Sequence, residues 1–543
     1  MYWVSINGIE KKYGILTPLY YLGSMLSVLH TILIIIVLIV YCTVVGRVLL
    51  CALLPTKALP ATYAYYMGLM VTLLLFTISA LYITSITYTM YILGAVGLVG
   101  MLYLIKCTIN PLKISLKLLG ISILIAIAVY AILQLIYYTP TGISTVQWPH
   151  YGSIHTGRSM AITGYYNEHD KLTVIGQNIG QNIISLIYLR LGCTQLALAT
   201  SITIAVQATI FILLLFHFLL SVFKNKKAVM YTILIICLGS TSVGLVPNNI
   251  IDIGYPIVLG GYSDNYIALA ALGSILYTVY LITYSTYKKI SLCYILIIGM
   301  LASIISGIQN IVVILPLVVA YTLWYVKIKD YKNLKKVVHI LLILVSGFAI
   351  AKYSIGMLVK PSMIDVAIPE SIIPKQTGIK IVPAVSHKYY LEQKYTFKQV
   401  SVIPNIDSIL PQLGITNKVR AAAYVLQVNV WEALRLYFFP ILLMILSIVL
   451  WYNKRTTQLH NYILACSIIF FMVGFGISFF IQYNGFKNEL NRFMYPFIVL
   501  AIIQFGFLVK LFTATISTFF LYFIFAVSLL PTVIELVLRI VEL

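Results

Sequence analysis

Residues 20–48 carry a single charge, Arg47, in about 29 positions, and apolar runs of this kind recur along the whole chain. About 18 or more apolar residues are enough to cross a hydrocarbon layer of about 30 Å as a helix. Inside lipid no water satisfies backbone N–H and C=O groups, so a spanning segment must be a helix or a strand of a closed barrel. These runs are much longer than the 9–11 residues or so of a barrel strand, and they lack its alternation. Helices are therefore expected near 20–48, 66–86, 90–105, 115–138, 196–223, 228–246, 266–285, 291–306, 308–326, 337–357, 433–452, 461–482, 493–510 and 513–538. That makes about fourteen spans, or twelve if the hairpin around Ser306–Asn310 is re-entrant. The fold class that follows is an all-α polytopic membrane protein. Composition excludes a soluble globule: 61% of residues are hydrophobic and 9% charged, where a soluble domain has about 25% charged.

The loops between the runs are not alike. Lys106, Lys113 and Lys117, then Lys224, Lys226 and Lys227, Lys288 and Lys289, the stretch Lys327 to Lys336, and Lys454 with Arg455 fall in alternate loops. Excess Lys and Arg in short loops marks the cytoplasmic side, which puts both termini outside. On that map only Asp330 of the fourteen carboxylates is inside, and the other thirteen lie outside or at the outer boundary. The 36 basic residues divide equally between the faces, so the inner face carries +17 and the outer about +5. The net charge of +22 thus reports topology and attraction to anionic lipid headgroups; no nucleic-acid-binding module is visible. Chemistry that needs carboxylates must take place on the outer face.

The seven cysteines form no CxxC pair and imply neither a disulfide framework nor a zinc site. The first apolar run is longer than a signal-peptide core and lacks an AxA-like cleavage site, so it reads as a retained span. The organisation expected is N-terminal membrane helices in 1–138, a first outer loop with an interfacial helix in 139–195, and central membrane helices in 196–357. A long outer loop, 358–432, holds six of the eighteen prolines, and C-terminal membrane helices fill 433–543. In residues 178–192, Ile179, Ile183, Leu186, Ile187 and Leu191 fall near one helical face, with Gln181, Asn182 and Arg190 elsewhere, the pattern of a helix lying at an interface. A similar helix is expected at about 415–430, with Lys418 and Arg420 meeting headgroups.

Candidate chemistry concentrates in two outer segments. Glu168 and Asp170, separated by one residue, can share a divalent cation, or one can act as a base while the other tunes it; an exposed turn is the plainer use of Asn167 and Asp170. In the same loop, His155 and Arg158 are suited to phosphate, since guanidinium forks around phosphate oxygens and imidazole donates to them. Lys487, Glu489 and Arg492 precede the thirteenth span. Arg492 is mildly disfavoured at the positive end of a helix, and a nearby Glu489 makes a paired or anion-binding site. The bland alternative there is a side chain reaching for the interface. The chain has no Walker A loop, no GxGxxG after a strand, no GxSxG and no HExxH. It also shows no series of ionisable residues crossing the bundle as a proton or ion path would require.

Three stretches carry a family resemblance. HTGRSMAITGYYNEHDKLTVIGQNIGQNIISLIYLRLG resembles the first large outer loop of prokaryotic GT-C-type membrane glycosyltransferases. Glu168 and Asp170 resemble the acid-x-acid element of their outer loops, and NRFMYPFIVLAIIQFG resembles the Arg-led start of a late span. Members usually place the key acid soon after the first span, whereas about four spans precede the acids here. The resemblance implies a GT-C-like fold in the cell membrane and a polyprenyl-phosphate-linked sugar as donor. It gives Asp170 or Glu168 the role of general base. Arg158, His155, Arg492 and Lys487 become donor-phosphate ligands, and Glu489 an orienting partner. The resemblance fixes no cofactor and leaves a divalent cation at Glu168 and Asp170 open; membrane lipids are expected partners. The rival readings are a lipid-linked oligosaccharide flippase or other polytopic transporter, and an outer-leaflet glycan polymerase or ligase.

Overall fold

The computed structural model describes residues 16–53, 60–82, 86–106, 196–239, 437–483, 490–511 and 515–542, with isolated positions at 127–128, 184–193, 270–280, 322–342 and 419–434. Among the described residues the regular structure is entirely helical: α1 (Leu16–Leu53), α2 (Ala61–Tyr82), α3 (Ile86–Lys106), α4 (Leu196–Phe223), α5 (Lys226–Leu238), α6 (Phe438–Tyr452), α7 (Gln458–Tyr483), α8 (Leu490–Leu511) and α9 (Thr515–Glu542). Each overlaps one of the expected spans. The expected spans at 115–138, 266–285, 291–306, 308–326 and 337–357 lie outside the described residues, apart from isolated positions. Among the described residues four stretches are long and apolar enough to cross a membrane: Leu26–Ala52, Thr87–Lys106, Ala205–Phe223 and Gln458–Gly476. The protein is a helical membrane protein.

Boundaries move where hydropathy is silent about helix ends. α2 begins five residues before its apolar run because the Pro60 carbonyl accepts from the N–H groups of Tyr63 and Ala64, at 3.1 and 3.2 Å. Proline is well suited to a helix start, where its missing N–H is no loss. α5 opens on Asn225, whose side-chain oxygen accepts from the N–H groups of Lys227 and Ala228. α7 opens on Thr457, whose hydroxyl accepts from the His460 N–H at 3.3 Å.

The chain divides into two compact units, one of residues 1–224 with 261–359, the other of 225–260 with 360–543. In the first unit α1 packs against α2, α3 and α4. The α1–α2 crossing brings backbone against backbone. A Cβ on Gly46 would sit 1.7 Å from the Ala64 carbonyl oxygen, and one on Gly68 would sit 1.7 Å from that of Cys42. Small residues at such crossings are how helices pack tightly in lipid, where no hydrophobic force separates chain from solvent. Tyr41 lies against Gly97 of α3, within 2.8 Å of where a Cβ would stand.

In the second unit α8 is the centre, in contact with α5, α6, α7 and α9. From Met494 to Leu508 every side chain with an assigned burial is buried, and a helix apolar on all sides belongs in such a position. Tyr231 of α5 meets Phe525 of α9 edge-on at 5.0 Å, and Phe471 of α7 meets Phe497 of α8 at 5.0 Å. The outward faces stay apolar: Phe519 and Phe523 of α9 in this unit, and Leu98, Val99 and Leu102 of α3 in the other, are all more than half exposed. Exposed apolar surface on that scale is a lipid contact.

Candidate functional site

Six of the seven residues proposed from sequence, His155, Arg158, Glu168, Asp170, Lys487 and Glu489, lie outside the described residues. Arg492 stands in the first turns of α8, where the backbone is helical. Pro496 is inside that helix. Its ring nitrogen carries no hydrogen, so it cannot bond the carbonyl four residues back, which belongs to Arg492. The stretch NRFMYPF therefore has an acceptor without its usual helical donor beside the arginine the sequence singled out.

The segment that follows the acid-bearing loop is visible at its C-terminal end. Ile184, Ile187 and Tyr188 are helical and at least 96% buried, at the i, i+3, i+4 spacing of one helical face. This corrects the sequence expectation in part. Ile187 belongs to the buried face, but Leu191 is exposed and Tyr188 takes its place; Ile179, Ile183 and Leu186 lie outside the described residues. A ranking by apolarity passes over tyrosine, yet Tyr188 is buried with its hydroxyl hydrogen-bonded to Thr203 of α4. Burial holds that phenol well above its ordinary pKa, so it stays protonated.

The segment ends at Gly192, with φ +83°, where the Cys193 N–H reaches back to the Tyr188 carbonyl at 2.9 Å. This six-residue closure needs a left-handed residue, and glycine adopts it without strain. Cys193 then packs its sulfur 3.7 Å from the Thr31 hydroxyl of α1. Arg190 donates from its guanidinium to Thr87 at the start of α3. The described residues of 184–193, which follow Glu168 and Asp170 in the sequence, are thus fastened to α1, α3 and α4 by side-chain hydrogen bonds and a buried face.

The second unit has a polar cluster that sequence reasoning passed over. His460 is fully buried, stacked on Phe507 of α8 at 4.5 Å with parallel rings, and its Nε2 lies 3.3 Å from the Ser447 hydroxyl of α6. Gln504 of α8, also fully buried, donates to Ser467 of α7 at 3.4 Å. His460 Nδ1 and Gln504 Oε1 have no hydrogen-bond partner among the described residues, and neither amide atom of Gln207 on α4, in the other unit, has one. A lone histidine at a span end carries no signal in sequence that would separate it from an interfacial one.

Among the described side chains there is no carboxylate. Both clusters consist of hydroxyls, amides and thiols with Arg190 and His460, groups that hold and orient. No set of three His, Cys, Asp or Glu among the described residues could hold a metal ion. No family model matches the chain, and neither a curated protein nor a solved structure matches it.

Proposed function

We propose that the chain is a membrane glycosyltransferase that moves a sugar from a polyprenyl-phosphate carrier to an acceptor at the outer face of the cell membrane. The observation that carries this reading is the placement of thirteen of fourteen carboxylates on one face, by the Lys/Arg map, opposite a face almost free of acids. The docking of residues 184–193 supports it, because it tethers the acid-bearing loop to the helices. A lipid-phosphate donor needs no nucleotide pocket, which agrees with the missing Walker A and Rossmann motifs. In this reading about fourteen spans form a GT-C-like bundle with both termini and the long loops outside.

Asp170 or Glu168 deprotonates the acceptor hydroxyl. Arg158, His155, Arg492 and Lys487 hold the phosphate that leaves with the lipid, and Glu489 orients the nearby cations. Positioned proton transfer of this kind contributes about 10²–10⁴-fold to rate, and donors aimed at developing charge contribute on a similar scale. If a divalent cation takes part, it sits between Glu168 and Asp170. The test is glycan transfer in membranes from cells that express Glu168→Ala/Asp170→Ala in place of the natural chain. A loss of about 10²-fold or more supports the base. Full transfer removes it. Cells lacking the chain should accumulate the lipid-linked donor on the outer leaflet, whereas loss of a flippase would strand it on the inner one.

A further inference from the structure

Beyond any transferase chemistry, one helical stripe in the second unit points to a specific lipid contact. Residues 419, 420, 423, 426, 427, 430 and 434 are helical, and each is exposed. Val419, Ala423, Leu426, Val430 and Leu434 fall within an arc of about 80° at 100° per residue. Arg420 and Gln427 stand at one edge of that arc. At the bend before α6 Tyr437, with φ −119°, ψ 32°, is itself buried. Exposed apolar side chains resume on α6 at Phe438, Ile445 and Val449, which are 43–51% exposed.

Length decides what covers it. α6 has 15 residues, a rise of about 22 Å, short of the roughly 30 Å of a hydrocarbon core. Its far end is marked by exposed Trp451 and Tyr452 beside exposed Lys454 and Arg455, the aromatic and basic pattern of a membrane boundary. About 20 residues back from Tyr452, the core ends near residue 432. Val419 to Val430 therefore lie past it, still presenting branched apolar side chains. Apolar side chains with a cation at the stripe's edge fit a helix at the headgroup boundary, not one standing in water.

We propose that residues 419–434 form an elbow with α6 and lie along the leaflet opposite Lys454. The stripe from Val419 to Leu434 is sunk among acyl chains, and Arg420 meets lipid phosphate. The occupant is lipid, because the stripe lies about one hydrocarbon thickness from the boundary that Trp451, Tyr452, Lys454 and Arg455 mark, and α6 between them also exposes apolar side chains.

The test places a ketone-bearing residue at 419, 423, 426, 430 or 434 in turn, in the full chain, and attaches a nitroxide to it, leaving the native cysteines untouched. Proteins are placed in vesicles of phosphatidylcholine with phosphatidylglycerol. Position 445 serves as a deep reference and 455 as an aqueous one. Strong oxygen accessibility with weak nickel-chelate accessibility at 423, 426 and 430, at depths shallower than 445 and similar to one another, is the expected result. Nickel accessibility equal to that at 455 would overturn the proposal. So would spin–spin broadening between labelled copies, which would make a second copy the occupant. Arg420→Gln should reduce protection at 419 and 423 in anionic vesicles more than in neutral ones; equal protection in both removes the phosphate contact.

Discussion

The two units solve the same problem, packing helices without water to drive them, in different ways. The first closes on bare backbone and paired polar side chains: Gly46 against Ala64, Gly68 against Cys42, Tyr188 with Thr203, Arg190 with Thr87. The second closes on volume, around a helix whose assigned side chains are all buried from Met494 to Leu508, while both units leave some buried polar atoms without a partner among the described residues. The difference teaches that burial in a membrane protein does not show which contacts hold it. Steric fit at two glycines and a few hydroxyl bonds should dominate one half, and apolar bulk the other.

The sharpest way to break that contrast is at the glycine crossing. Gly68→Leu sets a side chain into backbone that cannot yield, and should abolish folded protein, as read by monodisperse yield in detergent. Gly476→Leu in α7, where nothing lies within 4 Å of a Cβ, should change stability by less than about 0.5 kcal/mol. Thr203→Val should cost about 0.6 kcal/mol, the average for hydrogen bonds between membrane helices, and at most about 1.7, with the loss read as a lower thermal midpoint. Equal tolerance of Gly68→Leu and Gly476→Leu would mean that α1 and α2 do not cross as described.

Two helix ends carry the comparison further. Both Gly192 and Lys454 occupy the left-handed position of the same closure; in the second, the Arg455 N–H bonds the Leu450 carbonyl at 3.0 Å, and Lys454 has φ +57°. Lys224 and Lys329 also have positive φ. Non-glycine residues are strained there by about 1–2 kcal/mol, and these lysines all sit in the loops that the sequence assigns to the cytoplasmic face. Lys454→Gly should therefore raise stability by about 0.5 kcal/mol after glycine's larger loss of freedom. Destabilisation would show that the lysine side chain itself holds the turn. His460→Phe keeps the stacking on Phe507 but takes from the buried Ser447 hydroxyl its imidazole partner, and should cost about 1 kcal/mol or more, read as a lower thermal midpoint. An unchanged midpoint would show that the Ser447 bond contributes nothing.

Helix positions were legible because a run of apolar residues has few alternatives in lipid, and α4 coincides with its expected span to the residue. Ends were less legible. Pro60 and Asn225 act through backbone hydrogen bonds that hydropathy does not weigh, and Lys454 has no turn signature at all. Tyr188 was passed over because its burial goes with the bond to Thr203, a partner fixed only once α4 is in place. His460 and Gln504 likewise take their meaning from neighbours on other helices. The acids and cations proposed for chemistry were chosen by residue type and face, and their geometry lies outside the described residues.

Orientation is the claim from which the proposed chemistry follows, and one labelling experiment reaches it directly. Ser153→Cys, within the acid-bearing loop, is treated in intact cells with a membrane-impermeant maleimide, alongside the unsubstituted chain. The account predicts labelling of the new cysteine without permeabilisation. Labelling only after the membrane is opened would put Glu168 and Asp170 in the cytoplasm and contradict it.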